Sequence, residues 1–273
     1  MMKKHKLCII GAGNIGLAIA NGLVESGTFQ PSQITLTRRK LAHLETYREK
    51  GFVVTSDNTA AIQSAHIVLV AVEPQQVDSL FLEIGEVLDP DIHILISVVS
   101  GLSIKQIKKL MVNQVPIIRA MPNTAVGIRQ SMTCLAVEDE SSSALELARS
   151  IFNSVGESHV IDEEQMSSAT ALAACGIAFF LRMIRAASQG GIEIGFHPET
   201  ALLMASQTAK GAASLLLSGK NHPEYEIDRV TTPRGCTIAG LNQMEHEKLS
   251  SAIIKGITTS AEKAASLYVP KEP

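Results

Sequence analysis

Short aliphatic and β-branched runs alternate with helical spacing of apolar residues over the first half of the chain. The runs that predict strands are Leu7–Ile10, Ile34–Thr37, 52–54, 67–72, 92–99, 116–119 and 132–137, with helical spacing at 15–26 and 43–50. A helix after each strand returns the chain to the same end of the sheet, so the strands run parallel. The pattern therefore predicts an α/β domain with a parallel sheet.

The pattern changes near residue 162. Helical spacing then continues over 167–187, 199–218 and 249–267, and strand signals almost vanish. We therefore predict two domains, with the sheet in residues 1–161 and an all-helical domain in residues 162–273. Residues 269–273 are predicted to be a frayed end.

The most apolar stretch, residues 169–181, is hydrophobic on every side of a helix. It is too short to span a membrane, and Arg182 and Arg185 follow it. A small helical domain buries little by itself, so an all-apolar helix predicts at least a homodimer with intertwined helices. We expect no membrane partner.

Charge and cysteine content narrow the class of protein. The 273 residues carry a net charge of −3, which offers no basic surface to nucleic acid or anionic membranes. The four cysteines (Cys8, Cys134, Cys175 and Cys236) lie far apart and predict reduced thiols in a cytoplasmic protein, with no metal site. The basic N-terminus precedes only a short apolar run, so we predict a first strand rather than a signal peptide.

A glycine turn follows the first predicted strand and opens the first predicted helix. Gly11, Gly13 and Gly16 have the G-x-G-x-x-G spacing. The first glycine permits a tight turn, the second lets backbone amides approach a pyrophosphate, and the third lets helix pack on strand. The helix N-terminus attracts the phosphates. The motif in this context predicts a dinucleotide-binding domain of the doubly wound, Rossmann type.

The end of the second strand indicates the cofactor. Enzymes specific for NAD carry Asp or Glu there, whereas this chain has Thr37, Arg38 and Arg39. Guanidinium groups bind a 2′-phosphate bidentately, so the sequence favours NADPH, with NADH left open. The alternative is a solvated basic turn with no ligand.

The order of motifs over nearly the whole chain resembles the pyrroline-5-carboxylate reductase family. The matching segments are 11–16, 57–58, 71–75, 97–101, the Arg-Ala-Met-Pro-Asn-Thr run at 119–124, and 230–241. The resemblance implies NADPH-dependent reduction of the imine acid 1-pyrroline-5-carboxylate to L-proline. It also implies a homodimer, and larger rings of dimers occur in the family.

Site residues follow from the same resemblance. The implied cofactor contacts are Gly11, Ala12, Gly13, Asn14, Ile15, Gly16, Thr37, Arg38, Arg39, Asn58, Val72, Glu73, Pro74, Val98, Ser100, Met121, Pro122 and Asn123. The implied substrate contacts are Glu163, Thr232, Gly235, Cys236 and Thr237.

The segment around Thr232 and Pro233 can begin a helix, with Thr232 as N-cap and Pro233 at the first position. Free amides from Gly235 to Thr237 then bind a carboxylate, and Thr237 is the expected catalytic residue, orienting the ring. An ordinary capped helix is the alternative. For Glu163, expected beside the substrate nitrogen, the alternative is an acid favoured by the helix dipole. We expect direct hydride transfer to the imine carbon, with no covalent intermediate and no metal.

Several positions depart from the family pattern. Glu73 replaces the usual Lys, Ala125 the usual Pro, and residues 173–179 lack two hydroxyls, a helix-kinking proline and a phenol. Arg185 replaces an acid, and Arg234 the first of two glycines. These changes leave two alternatives open: reduction of a related cyclic imine or hydroxy acid, or a regulatory protein that binds NADPH without turnover.

Overall fold

The computed structural model describes residues 5–219 and 221–268. Over these residues the strands are β1 Leu7–Ile10, β2 Ile34–Thr37, β3 Val53–Thr55, β4 Ile67–Val70, β5 Ile94–Ser97, β6 Ile117–Met121, β7 Ser131–Ala136 and β8 Gly156–Val160. The helices are α1 Asn14–Glu25, α2 Glu45–Glu49, α3 Asn58–Gln63, α4 Val77–Ile84, α5 Ile104–Leu110, α6 Ser143–Asn153, α7 Met166–Ala169, α8 Gly176–Glu193, α9 Pro198–Gly219, α10 Pro223–Arg229, α11 Cys236–His246 and α12 Leu249–Ala265. The end expected to fray, 269–273, lies outside the described residues.

The described chain forms two compact units. The first holds residues 5–175 together with 259–268, and the second holds residues 176–258. This division differs from the boundary expected at residue 162. The first turns of the long helix belong to the sheet unit because Met166, Thr170 and Ala171 are buried in it. The end of α12 belongs there too, since Ala264 and Tyr268 are buried.

The first unit is built on one eight-stranded sheet in the order β3-β2-β1-β4-β5-β6-β7-β8. Strands β1 to β6 are parallel, β7 is antiparallel to β6, and β8 is parallel to β7. This order confirms the doubly wound Rossmann fold. The order in which successive strands are added reverses between β1 and β4. Ligands of such sheets bind at that point, outside the carboxyl ends of the strands.

The central strands are buried on both faces. Leu7 and Ile9 of β1 point into one core cluster with α1 and α6, while Cys8 and Ile10 point into a second cluster with α3, α4 and α5. A strand covered on both faces is a continuous apolar run, which is why the sequence predicted it.

The edge strand β8 was not predicted. Its sequence Gly-Glu-Ser-His-Val is polar and each residue is at least partly exposed, so it has no apolar signal. Gly156 allows it to pair, because a Cβ there would lie 2.1 Å from the carbonyl oxygen of Ser131. The antiparallel β7 begins and ends one residue before the predicted run 132–137.

The second unit consists of helices. Gly191 of α8 permits close packing on α9, since an added Cβ would lie 3.0 Å from Ala201 Cβ. Large apolar side chains are exposed on this unit, among them Phe180, Leu181, Ile194, Leu203 and Leu217.

One helical stretch, Glu163–Glu193, has the length and apolar composition of a membrane span, with a mean hydropathy of 1.6 over its most apolar window. The expectation that this region is too short was wrong, because the helix extends beyond 169–181. In the described residues its N-terminal turns are core: Met166, Thr170 and Ala171 are buried in the sheet unit.

Candidate functional site

The glycine turn has the geometry that its sequence predicted. Gly11 has φ +90°, and a Cβ there would lie 2.8 Å from the carbonyl oxygen of Ala71 and from Val72 Cγ1. A Cβ on Gly16 would lie 2.7 Å from the carbonyl oxygen of Gly11. A Cβ on Gly13 would meet nothing within 4 Å, so this residue faces open space. The turn therefore packs tightly on the residues that directly follow β4 and leaves its second glycine open to a ligand.

The N-terminus of α1 begins at this open face. Gly13 is its N-cap and supplies no side-chain cap, while its own N–H donates to the carbonyl oxygen of Gly11 at 2.7 Å. The first-turn amides of an α-helix have no partner within the helix. Those of Asn14, Ile15 and Gly16 thus form a positive end suited to phosphate.

A cleft of about 750 Å³ lies at the switch point of the sheet. Residues at and after the ends of β1, β2 and β4 line this cleft. The expected cofactor residues among the lining are Gly11, Ala12, Gly13, Thr37, Arg38, Arg39, Asn58, Val72 and Glu73. Arg38 is held in place because its Nη1 donates to the carbonyl oxygen of Ala12 at 3.3 Å. Arg39 and Lys40 are exposed on the same wall.

Residues that were not among the expected cofactor contacts also line the cleft. They are Ile10, Lys40, Ser56, Ala71, Gln76, Ser79, Leu80 and Glu83. Thr37 Oγ1 donates to Asn58 Oδ1 at 2.6 Å, and Asn58 Nδ2 donates to both carboxylate oxygens of Glu83 at 3.2 Å. Glu83 comes from α4, far along the chain, and no motif marks it. The expected Asn58 is thus oriented by residues on both sides.

The expected cofactor residues from Pro74 onward are not among those that line the cleft. Pro74 begins a 3-10 turn, Val98 and Ser100 follow β5, Met121 ends β6, and Pro122 and Asn123 follow it. Ser100 Oγ contacts Met121 Sδ at 4.0 Å. Pro74 thus follows β4, and the others lie at the carboxyl ends of β5 and β6, on the edge where ligands of such sheets bind.

The segment expected to hold the substrate is a turn followed by a helix. The Gly235 N–H donates to the carbonyl oxygen of Thr232 at 2.9 Å, and Arg234 has φ +60°. Proline followed by a positive φ is the type II pattern. Thr232 as N-cap and Pro233 as first helical residue were therefore wrong: α11 begins at Cys236 with Gly235 as N-cap.

The type II turn changes which amides are available. The Gly235 N–H is used within the turn, so the donors at the helix N-terminus are those of Cys236, Thr237 and Ile238. Cys236 is exposed and Thr237 half-buried. The turn thus retains the open helix end that a carboxylate requires.

Glu163 has partners that its position in the sequence did not indicate. Its Oε1 accepts from Arg119 Nη1 at 3.1 Å and from the Ile104 N–H at 2.7 Å. Burial lowers the pKa of the Arg119 guanidinium, and the bond with Glu163 opposes that shift. This carboxylate oxygen therefore serves β6 and the start of α5 within the sheet unit.

The cleft fits a phosphorylated dinucleotide. Open space at Gly13, the free first turn of α1 and the cations after β2 match the charges of a pyrophosphate and a 2′-phosphate. Over the described residues no group of three or more His, Cys, Asp or Glu side chains could hold a metal ion. Fold and cleft together define a dinucleotide-binding protein of the Rossmann type.

Comparisons with known proteins narrow this class. Residues 6–101 match the family model described as NADP oxidoreductase, coenzyme F420-dependent, and residues 163–267 match that of pyrroline-5-carboxylate reductase dimerisation. Pyrroline-5-carboxylate reductase 2 of Dictyostelium discoideum is 49% identical over 97% of this chain and 94% of its own length. The chain belongs to the pyrroline-5-carboxylate reductase family and is an NAD(P)H-dependent oxidoreductase.

Two further relatives agree. Pyrroline-5-carboxylate reductase 1 of the same organism is 54% identical over 97% of this chain, which spans 50% of that relative's length. The solved pyrroline-5-carboxylate reductase of Coxiella burnetii is 29% identical, with a TM-score of 0.85 over 97% of this chain and 99% of that one.

Proposed function

We propose that this chain reduces 1-pyrroline-5-carboxylate to L-proline with NADPH. One observation carries the proposal: this member of the family has both features that the reaction needs. They are a dinucleotide cleft lined by Arg38 and Arg39 and a turn at 232–237 with an open helix end. Bound NADPH would supply the hydride that reduces the imine carbon, and the ring nitrogen would take up a proton. No side chain forms a bond to the substrate in this scheme.

The residues around the glycine turn hold the cofactor in this proposal. The first turn of α1 binds the diphosphate, because its amides and the helix dipole favour negative charge. Arg38 and Arg39 bind the 2′-phosphate, and Asn58, oriented by Thr37 and Glu83, binds the adenosine ribose. The departure at Glu73 places a carboxylate in the same cleft, where it repels phosphate, so the arginines must supply the attraction.

The turn after α10 holds the substrate. The backbone N–H groups of Cys236 and Thr237 donate to the substrate carboxylate, and the Thr237 hydroxyl orients the ring nitrogen. Thr232 and Gly235 fix the turn through their own hydrogen bond. Positioning the imine carbon for attack accounts for much of the barrier reduction, on the order of several kcal/mol. Glu163 supports Arg119 and α5 in this scheme, so we assign it no contact with the substrate.

We further propose a cytoplasmic homodimer built by the second unit, which assembles into larger rings. The match to a dimerisation family supports the dimer, and the exposed apolar side chains of α8 and α9 give it a surface to bury. The four cysteines are free in the described residues, which suits a reducing compartment.

A substrate panel tests the activity. Purified protein is mixed with NADPH or NADH and with pyrroline-5-carboxylate, a six-membered cyclic imine acid, or a 2-keto acid, and the loss of cofactor absorbance is followed. We expect the highest kcat/KM with NADPH and pyrroline-5-carboxylate. A higher value with another imine or keto acid would replace the substrate. Tight NADPH binding without turnover on any of them would favour the regulatory protein.

Thr237→Ala tests the substrate turn. We expect kcat to fall by about tenfold or more, since one oriented hydrogen bond is lost in the transition state, while the Kd for NADPH stays unchanged. Thr46→Ala on the exposed side of α2 is the matched control and should behave as the parent. Unchanged turnover in Thr237→Ala removes this hydroxyl from the mechanism.

A further inference from the structure

The long helix contains an irregular turn where the family usually has a kinking proline. Residues Thr170–Cys175 form a π-helix between α7 and α8, although this chain has no proline between 166 and 193. A π turn inserts an extra residue and takes a backbone carbonyl out of the regular helical ladder, and such turns are frequent at functional sites. The turn therefore needs another cause and another hydrogen-bond donor for its displaced backbone.

Asn123, directly after β6, supplies that donor. Its Nδ2 donates to the carbonyl oxygen of Ala173, inside the π turn, at 3.2 Å. The opposite end of the same amide is used as well, since Oδ1 accepts from the Ala125 N–H at 3.0 Å. The backbone N–H of Asn123 donates to Ser131 Oγ at 3.1 Å. Both ends of the side chain are thus engaged within the sheet unit, which leaves it poorly suited to the cofactor contact that the sequence suggested.

The surroundings hold the π turn against the sheet. Ala173 and Ala174 pack against a small apolar cluster that includes Met121 and Cys134. The start of the same helix is tied down separately, by the bond between Glu163 and the buried Arg119 of β6. The two polar ties from the β6 region thus bracket residues 163–173.

The π turn lies directly before the boundary between the two units. The π turn ends at Cys175, and the second compact unit, which carries the 232–237 turn, begins at Gly176. The bond from Asn123 therefore acts on the last residues of the sheet unit before the chain enters the other unit.

We infer that Asn123 is a positioning residue for the reduction: its amide nitrogen holds the π turn at Ala173, the last turn of the sheet unit before the chain continues into the unit that carries the 232–237 turn. This role rests on the proposed function, because the unit that the helix enters carries the turn assigned to the imine acid. It differs from a cofactor contact, since Asn123 acts through the helix backbone and not on NADPH.

Asn123→Asp separates the two ends of the side chain. A carboxylate still accepts from the Ala125 N–H, but it repels the Ala173 carbonyl where the amide donated. We expect kcat for pyrroline-5-carboxylate to fall by about tenfold or more, as a small displacement of a reacting group does, with the Kd for NADPH within about twofold of the parent. Amide hydrogen exchange over 170–175 should become faster.

Two companion variants complete the design. Asn123→Ser is neutral, keeps an acceptor for Ala125 and is too short to reach Ala173, so it should lose kcat without added charge. Asn153→Asp is the matched control: Asn153 uses its amide oxygen as acceptor for the Ser158 N–H and hydroxyl, a role that a carboxylate keeps. It should behave as the parent.

The pH profile supplies a readout that a general loss of stability does not move. A protonated carboxyl at position 123 can donate to Ala173 again, so the activity of Asn123→Asp relative to the parent should rise as pH falls through the carboxyl pKa. The ratio for Asn123→Ser should stay flat. A raised Kd for NADPH with unchanged exchange over 170–175 would make Asn123 a cofactor contact and overturn the inference, as would full activity in both variants.

Failure of the proposed function leaves a different signature. In that case the parent protein does not reduce pyrroline-5-carboxylate, whereas the exchange measurement still reports whether Asn123 holds the π turn.

Discussion

Single side chains at the end of β2 set the electrostatics of the cofactor cleft. Arg38 is held by the carbonyl oxygen of Ala12, and Arg39 and Lys40 extend the positive charge. Glu73 and Glu83 lie on the same cleft, but Glu83 is occupied by Asn58. The net field at the end of β2 therefore favours a phosphate over the bare hydroxyls of NADH.

The double variant Arg38→Ala with Arg39→Ala should weaken the binding of NADPH far more than the binding of NADH. Loss of hydrogen bonds to a charged phosphate corresponds to about 1.5–3 kcal/mol each, or roughly tenfold or more in Kd. Titration of both cofactors measures the ratio. Arg48→Ala, which removes an exposed arginine paired with Glu45 on α2, is the control. An equal loss for both cofactors contradicts the specificity argument.

At this scale the sequence predicted residue types better than their conformations. The glycine spacing was enough to place Gly11, Gly13 and Gly16, because backbone contacts constrain Gly11 and Gly16 and the open space at Gly13 suits a ligand. The prediction for the 232–235 turn was wrong, since the type of this turn depends on the positive φ of Arg234. Residues other than glycine seldom adopt a positive φ. The partners of Glu163 and Asn123 come from distant strands and helices, so no local pattern could indicate them.

At the scale of elements, the central strands could be predicted because both of their faces are buried and apolar. The polar edge strand could not be predicted. β4 is entirely buried and apolar, whereas β8 is polar and at least partly exposed at the edge of the sheet. Helices that the apolar spacing did not indicate were not predicted. One of them, α4, lines the cleft. The resemblance supplied the loops after β4, β5 and β6, which pattern alone would have left unassigned.

The end of α12 offers an elementary test of packing. Tyr268 is buried, and its hydroxyl donates to Asp78 Oδ1 of α4 at 2.8 Å. Tyr268→Phe should lower the free energy of unfolding by about 1 kcal/mol, the typical contribution of such a bond. Denaturant unfolding of both proteins at neutral pH measures the difference. A variant as stable as the parent would show that the bond contributes nothing.

The same residue predicts a pH dependence. Burial, with the hydrogen bond and charge of Asp78, raises the pKa of Tyr268 to about 12. The neutral phenol is favoured in the folded state, so its contribution is complete below the ordinary tyrosine pKa of about 10 and is lost as pH rises towards 12. The stability difference between the parent and Tyr268→Phe should therefore shrink over that window. A constant difference would contradict the assignment.

At the scale of the whole molecule, the sheet unit is a complete Rossmann core while the helical unit exposes many apolar side chains. Leu217 of α9 is 86% exposed in the single chain, far more than a buried core position. Exposed apolar surface of this extent marks an interface, and the dimerisation family match points to a second copy.

Leu217→Glu should therefore weaken the dimer, because it places a charge in a surface that association buries. Light scattering after size-exclusion chromatography should show a larger monomer fraction at low concentration. Leu82→Glu is the matched control, since Leu82 is 89% exposed on α4 of the sheet unit. A dimer unaffected by Leu217→Glu would exclude this part of α9 from the interface.

The sheet unit is made from two separate stretches of chain, and this has a consequence for synthesis on the ribosome. Tyr268 belongs to the core cluster that covers β1 and β4, and the Gly101 loop packs against it and Ala264. These residues are translated after the whole helical unit. The nascent Rossmann core therefore completes one face only when the second unit has emerged, and until then apolar residues of that face stay exposed.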